Sequence, residues 1–122
     1  MKNKIVVKSI EFLSAIEKFM PKNMRINIKK KKYLFSQEIC FSQKNNNLAI
    51  SSEIIKATCP IISGDWNGYV YLTLHVLYAF YKVPPLKEEL TIIFAENKIK
   101  IESSIVPARL CASPNPKLDE NL

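Results

Sequence analysis

Acid–base and metal chemistry require histidines, cysteines and carboxylates at defined spacings, and this sequence holds few of them. His75 is the only histidine, and Cys40, Cys59 and Cys111 stand far apart with no C-x-x-C pair. That argues against a zinc site and against a disulfide framework. Cys40 and Cys59 lie in the apolar runs EICFS and ATCPII, where a thiol serves as a small buried hydrophobe. No Gly-rich phosphate loop and no nucleophile elbow occurs, and Glu53, Asp65 and Glu102 are scattered carboxylates. A lone histidine gives no general acid–base pair. The sequence is therefore read as non-enzymatic, with no catalytic residue, no cofactor and no metal.

Lysine is the chemistry that remains. The net charge is +7, and residues 1 to 33 hold ten lysines and arginines against Glu11 and Glu17, about +8 in that part of the chain. A field so concentrated favours a polyanionic partner, nucleic acid or an anionic membrane surface. A lysine-rich surface that only keeps the protein soluble explains the same composition equally well. The run Lys29–Lys32 interrupts the apolar phase of Ile26 and Ile28, which places it in an exposed turn or on an edge strand.

These side chains need elements to hold them. KIVVK reads as a strand, with Ser9 as N-cap of a helix that runs to Met20 and stops at Pro21. At 100° per residue Phe12, Leu13, Ile16, Phe19 and Met20 share one arc, and Glu11, Ser14, Lys18 and Lys22 the opposite one. From YLF onward strands dominate, with turns at QKNNN and SGDWNG and with Trp66 packing over the sheet end. A second helix begins after Thr73 and ends at Pro84 and Pro85, with Leu74, Leu77, Phe80 and Tyr81 on its apolar side and His75, Tyr78 and Lys82 on the other. ELTIIFAENKIKIESSI reads as a hairpin around AENK.

At 122 residues and 48% hydrophobic composition the chain is expected to form one domain over residues 1–110, with residues 111–122 as a flexible tail. The N-terminus lacks an apolar run of signal-peptide length and no stretch approaches a membrane span, so a cytoplasmic protein without membrane contact is expected. Strands and helices do not alternate as a parallel sheet requires. The expected class is α+β, an antiparallel sheet with two helices on one face.

This order resembles one repeat of the sliding DNA clamps, the ring-shaped processivity factors. The resemblance lies in VVKSIEFLSAIEKFM, CFSQKNNNLAIS, GYVYLTLHVLYAFYKVPP and EELTIIFAENKIKIESS, spread over residues 5 to 106. It implies repeats joined edge to edge into a ring, with helices turned toward a central hole and basic side chains meeting duplex phosphate without reading sequence. Carried onto this chain, the hole-facing residues are Ser14, Lys18 and Lys22 on the first helix and His75, Tyr78 and Lys82 on the second. The chain has room for one repeat, so a ring requires further copies or a partner.

Two functions from different classes follow. One is a clamp-like domain that self-associates and contacts duplex DNA or another polyanion through its basic helical face. The other is a protein-interaction or accessory module that has kept the fold without DNA binding.

Overall fold

The computed structural model describes residues 3–20, 38–53, 55–84 and 86–111. Lys22, Lys29–Lys32 and the strand expected at YLF lie outside the described residues. In chain order the elements are β1 (Asn3–Lys8), α1 (Ser9–Glu17), β2 (Glu38–Lys44), β3 (Asn47–Ser51), β4 (Lys56–Asp65) and β5 (Tyr69–Thr73). They continue with α2 (Leu74–Lys82), β6 (Glu89–Ala95), β7 (Lys98–Ile101), β8 (Ser104–Pro107) and β9 (Arg109–Cys111). The strands form one antiparallel sheet in the order β8-β7-β6-β1-β4-β3-β2-β5-β9.

Alternation sets the inward face. Ile5 and Val7 of β1, Leu48 and Ile50 of β3, and Leu90, Ile92 and Phe94 of β6 are buried, whereas Lys4, Lys8 and Glu89 are exposed. The helices obey the same rule at their own period: Phe12, Ala15 and Ile16 of α1 and Leu74, Leu77 and Phe80 of α2 are buried. α1 ends earlier than the spacing predicts, at Glu17. Its continuation tightens into i→i−3 bonds, Phe19 N–H to the Ile16 carbonyl and Met20 N–H to the Glu17 carbonyl, both 3.0 Å, which still carries Phe19 and Met20 into the core. Ser9 is not the N-cap. Lys8 holds that position in extended geometry without a side-chain bond, and the buried Ser9 Oγ has no hydrogen-bond partner among the described residues.

The topology repeats itself. β1-α1-β2-β3-β4 and β5-α2-β6-β7-β8 are the same unit written twice, and each unit's first strand pairs with the other's second, β1 with β6 and β5 with β2. Lys8 and Thr73, the last strand residues before each helix, both stand opposite a glutamate, Glu89 and Glu38. β4 is shared: Lys56–Pro60 pairs with β3, and Ile61 to Asp65 with β1. β8 and β9, separated by Ala108, do the same on the far side, pairing with β7 and β5. The consequence is a strongly curled, nearly barrel-shaped sheet. The expected α+β class and antiparallel sheet are present, but a flat sheet with helices on one face is only a partial description.

Both helices enter the core shared by the two halves. Phe12 packs edge-on against Phe41 (6.2 Å between centroids) and Phe80 (5.9 Å), and Trp66 stands between Phe41 and Phe94 at 6.3 and 6.5 Å. Each such pair contributes about 0.5–1.5 kcal/mol beyond area burial. Trp66 also donates its indole N–H to the Phe41 carbonyl (3.1 Å), so its expected packing is observed. At the strand edge Asn3 and Asn67 grip each other reciprocally, Nδ2 to the Asn67 carbonyl at 2.7 Å and the Asn67 N–H to Oδ1 at 3.0 Å.

The segment read as a turn at SGDWNG is strand as far as Asp65, with the reversal confined to the residues after it. Likewise Arg109–Cys111 is strand, and residues 112–122 lie outside the described residues. Arg109 reaches across Tyr71 to Glu38, with Nη2 and Nε at 2.6 and 3.2 Å from Oε2 and the guanidinium 4.7 Å from the Tyr71 ring centroid. That clasp ties β9 to β2 over β5. Among the described residues no helix is long and apolar enough to cross a membrane.

Candidate nucleic-acid interface

The packing of α1 against α2 decides which side chains can act together. Phe12 and Phe80 form its buried side, and on the solvent side Tyr81 donates its hydroxyl to Glu17 Oε1 at 3.0 Å. The two helices are thereby held as neighbours, and their outward side chains share one surface.

Ser14 of α1 and Lys18, which caps the helix at its C-terminal end, are exposed one turn apart, as the helical spacing predicts. Ser14 lines two adjoining grooves. One runs between α1 and β4 and includes Lys18, Thr58 and Pro60; the other runs between the helices and includes Leu13, Tyr81 and Lys82. The structure thus brings Ser14, Lys18 and Lys82 to one surface. His75 and Lys82 are exposed on α2 and Tyr78 is half-buried beside them. Lys82 Nζ lies 5.4 Å from the centroid of the Tyr78 ring, a cation–π contact that orients the lysine along the helix. Lys22 lies outside the described residues.

The surface is not uniformly basic. Glu11 lines the same groove as Lys18, and Glu17 the same groove as Lys82. Among the described residues of these grooves, two lysines therefore face two glutamates. With its charges balanced in this way, the surface as a whole gives a phosphate little, and binding depends on direct contact with an individual ammonium.

Sequence reasoning missed an apolar component. Ile10, which lines both grooves, is 76% exposed, and Val83 (80%) and Leu86 (fully exposed) follow α2 in the chain. Ile10 precedes Ser14 and Lys18 by one and two turns, so its place on the outward stripe was readable from the spacing. The Glu17–Tyr81 bond left no such signal, because its partners come from different helices.

The exposed side chains of this surface include groups suited to binding an anion. Hydroxyls and ammonium groups can hold phosphate oxygens. Among the described residues no group of three or more histidine, cysteine, aspartate or glutamate side chains could hold a metal ion. The buried thiols are also inert: burial pushes the Cys40 thiol up to about 11 and the Cys59 thiol up to about 12.

No protein-family model matches the sequence, and no curated protein matches it. The fold is nevertheless similar to solved structures. One is the DNA polymerase sliding clamp of Caulobacter crescentus, with a TM-score of 0.56 and 16% identity over 88% of this chain and 30% of that one. Another is the β sliding clamp of the same organism with polyethylene glycol bound, with a TM-score of 0.58 and 15% identity over 91% of this chain and 30% of that one. The chain has the fold of a single sliding-clamp-like repeat and spans about 30% of the length of these clamp chains.

Proposed function

We propose that the chain is a non-enzymatic clamp-like domain that self-associates at the ends of its sheet and contacts nucleic acid without sequence preference through the face shared by α1 and α2. The observation that carries this reading is the convergence of Lys18 and Lys82 on adjoining grooves that share Ser14, on a fold similar to the Caulobacter clamps. The net charge of +7 supports it. In this reading His75 and Tyr78 flank the phosphate contacts, Lys22 adds to them, and the protein works in the cytoplasm.

Contacts of this kind release counterions and weaken steeply with salt. Replacing Lys18 and Lys82 together with glutamate is expected to abolish duplex binding at low salt, read by fluorescence anisotropy. Binding that persists unchanged in the K18E/K82E variant overturns the nucleic-acid reading.

The exposed aliphatics Ile10, Val83 and Leu86 and the balancing charges of Glu11 and Glu17 favour a second reading, a protein-interaction module that uses the same face. It predicts that Ile10→Asp and Val83→Asp abolish capture of a protein partner while the lysine reversals leave that capture intact.

A further inference from the structure

A strand edge that exposes aliphatic side chains invites a second chain to extend the sheet, and natural proteins guard such edges. The two ends of this sheet carry that hazard: Ile105 on β8 is 62% exposed and Leu110 on β9 is 52% exposed. Ile62, in the second half of β4, is 45% exposed. The two strands that end the repeated units each contain one proline, in the same place. Pro60 stands opposite Asn47 and Pro107 opposite Lys98, in each case the first residue after the hairpin turn.

The neighbouring hydrogen bonds fix the direction of each proline nitrogen. Ile61 donates its N–H to the Asn46 carbonyl (2.9 Å) on the β3 side, and Ala108 donates to the Asn97 carbonyl (3.0 Å) on the β7 side. Backbone N–H groups alternate between the two sides of a strand. Pro60 and Pro107 therefore turn their nitrogens away from β3 and β7. For Lys56–Pro60 and for Ser104–Pro107 that side has no ladder partner among the described residues. A proline there offers no donor, and its ring occupies the space into which a partner carbonyl would come. On β8 this leaves Ile105 as the remaining outward donor, and on the first half of β4 it leaves Lys56 and Thr58.

We propose that Pro60 and Pro107 bar a second copy of this chain from adding a strand along Lys56–Pro60 and along β8, so that contact between copies at these edges is made by side chains such as Ile105. The bar is a property of a single chain; only the side-chain contact rests on the self-association proposed above. Without the prolines, exposed aliphatics on an incomplete ladder would make a template for open-ended sheet extension.

Pro60→Thr and Pro107→Thr, singly and together, test this by sedimentation across a concentration series, with amide exchange at Ile105 followed by NMR and circular dichroism confirming the fold. The double variant is expected to associate at concentrations about tenfold lower than the wild-type chain, since each restored donor adds one modest hydrogen bond. The Ile105 amide gains protection only in the variants. Association unchanged in folded single and double variants overturns the proposal, as does an Ile105 amide protected in an associated wild-type chain. A wild-type chain that stays monomeric while the double variant associates supports the bar and removes self-association from the proposed function.

Discussion

The two oxygens of the Glu102 carboxylate hold different parts of the sheet. Oε2 accepts the Thr91 N–H at 2.7 Å, Oε1 pairs with Lys87 Nζ at 2.6 Å, and the Glu102 N–H returns to the Thr91 carbonyl at 3.1 Å. The hydrogen bond from Lys87, and after it that from Thr91, hold this carboxyl below the usual carboxylate range. A depressed folded pKa means stabilisation that is present above the unfolded value and lost as pH falls through the folded one. Wild-type unfolding in urea is therefore expected to weaken between about pH 5 and pH 3 more than that of Glu102→Gln, and Glu102→Ala is expected to cost about 1–2 kcal/mol at pH 7. The thiols make a separate prediction. A thiol-directed reagent at pH 8 labels half-exposed Cys111 in the native protein and reaches Cys40 and Cys59 only after denaturation. Burial of Cys40 and Cys59 was legible, since their apolar flanks announce it. The role of Glu102 was not: its partners lie eleven and fifteen residues away, and a carboxylate in a polar turn looks like any solvated one.

Helix faces were the most legible elements. A period of 3.6 residues is visible within a few turns, and Phe12, Ile16, Leu74, Leu77 and Phe80 are buried where that period puts them. β4 was less legible, because Ser63, Gly64 and Asp65 carry turn chemistry yet pair with β1 as Val6↔Ser63, Ile5↔Gly64 and Lys4↔Asp65. Long-range pairing overrides the local preference there. Gly64 is what permits it: with φ of 91° and the β1 backbone pressed against it, an added Cβ would collide with the Lys4 carbonyl oxygen. Gly64→Ala is thus expected to cost at least about 2 kcal/mol in urea unfolding. Gly68→Ala should cost less, since although φ is 82° its Cβ meets the movable end of Leu110. The short strands β8 and β9 gave the weakest signal of all. ESSIVPARL alternates poorly, and its strand character comes from β7 and β5 on either side of the bend at Ala108.

At the scale of the molecule, the order of elements was enough to suggest a clamp repeat, whereas the repetition within it was not readable. Equivalent hairpins and equivalent long strands are separated by different lengths of chain, so the correspondence of Asn46 with Asn97 and of Ile61 with Ala108 emerges only from the hydrogen bonds. Assembly is likewise a property of the whole. Light scattering across a concentration series is expected to give a fixed multiple of the 14.0 kDa chain, and a stable monomer would favour the interaction-module reading. The exchange of partners between units has a further result. Each unit lends its first strand to the other's second, so the ladders that join the two halves are β1 with β6 and β5 with β2. A chain severed at Asn67 would therefore leave β1 without β6 and β2 without β5, so neither piece alone could satisfy its backbone or close a core. Peptides 1–67 and 68–122 are expected to be unfolded separately and to recover strand and helix signal in circular dichroism when mixed. Such a pair is a two-component reporter in waiting: anything that brings the halves together restores the fold.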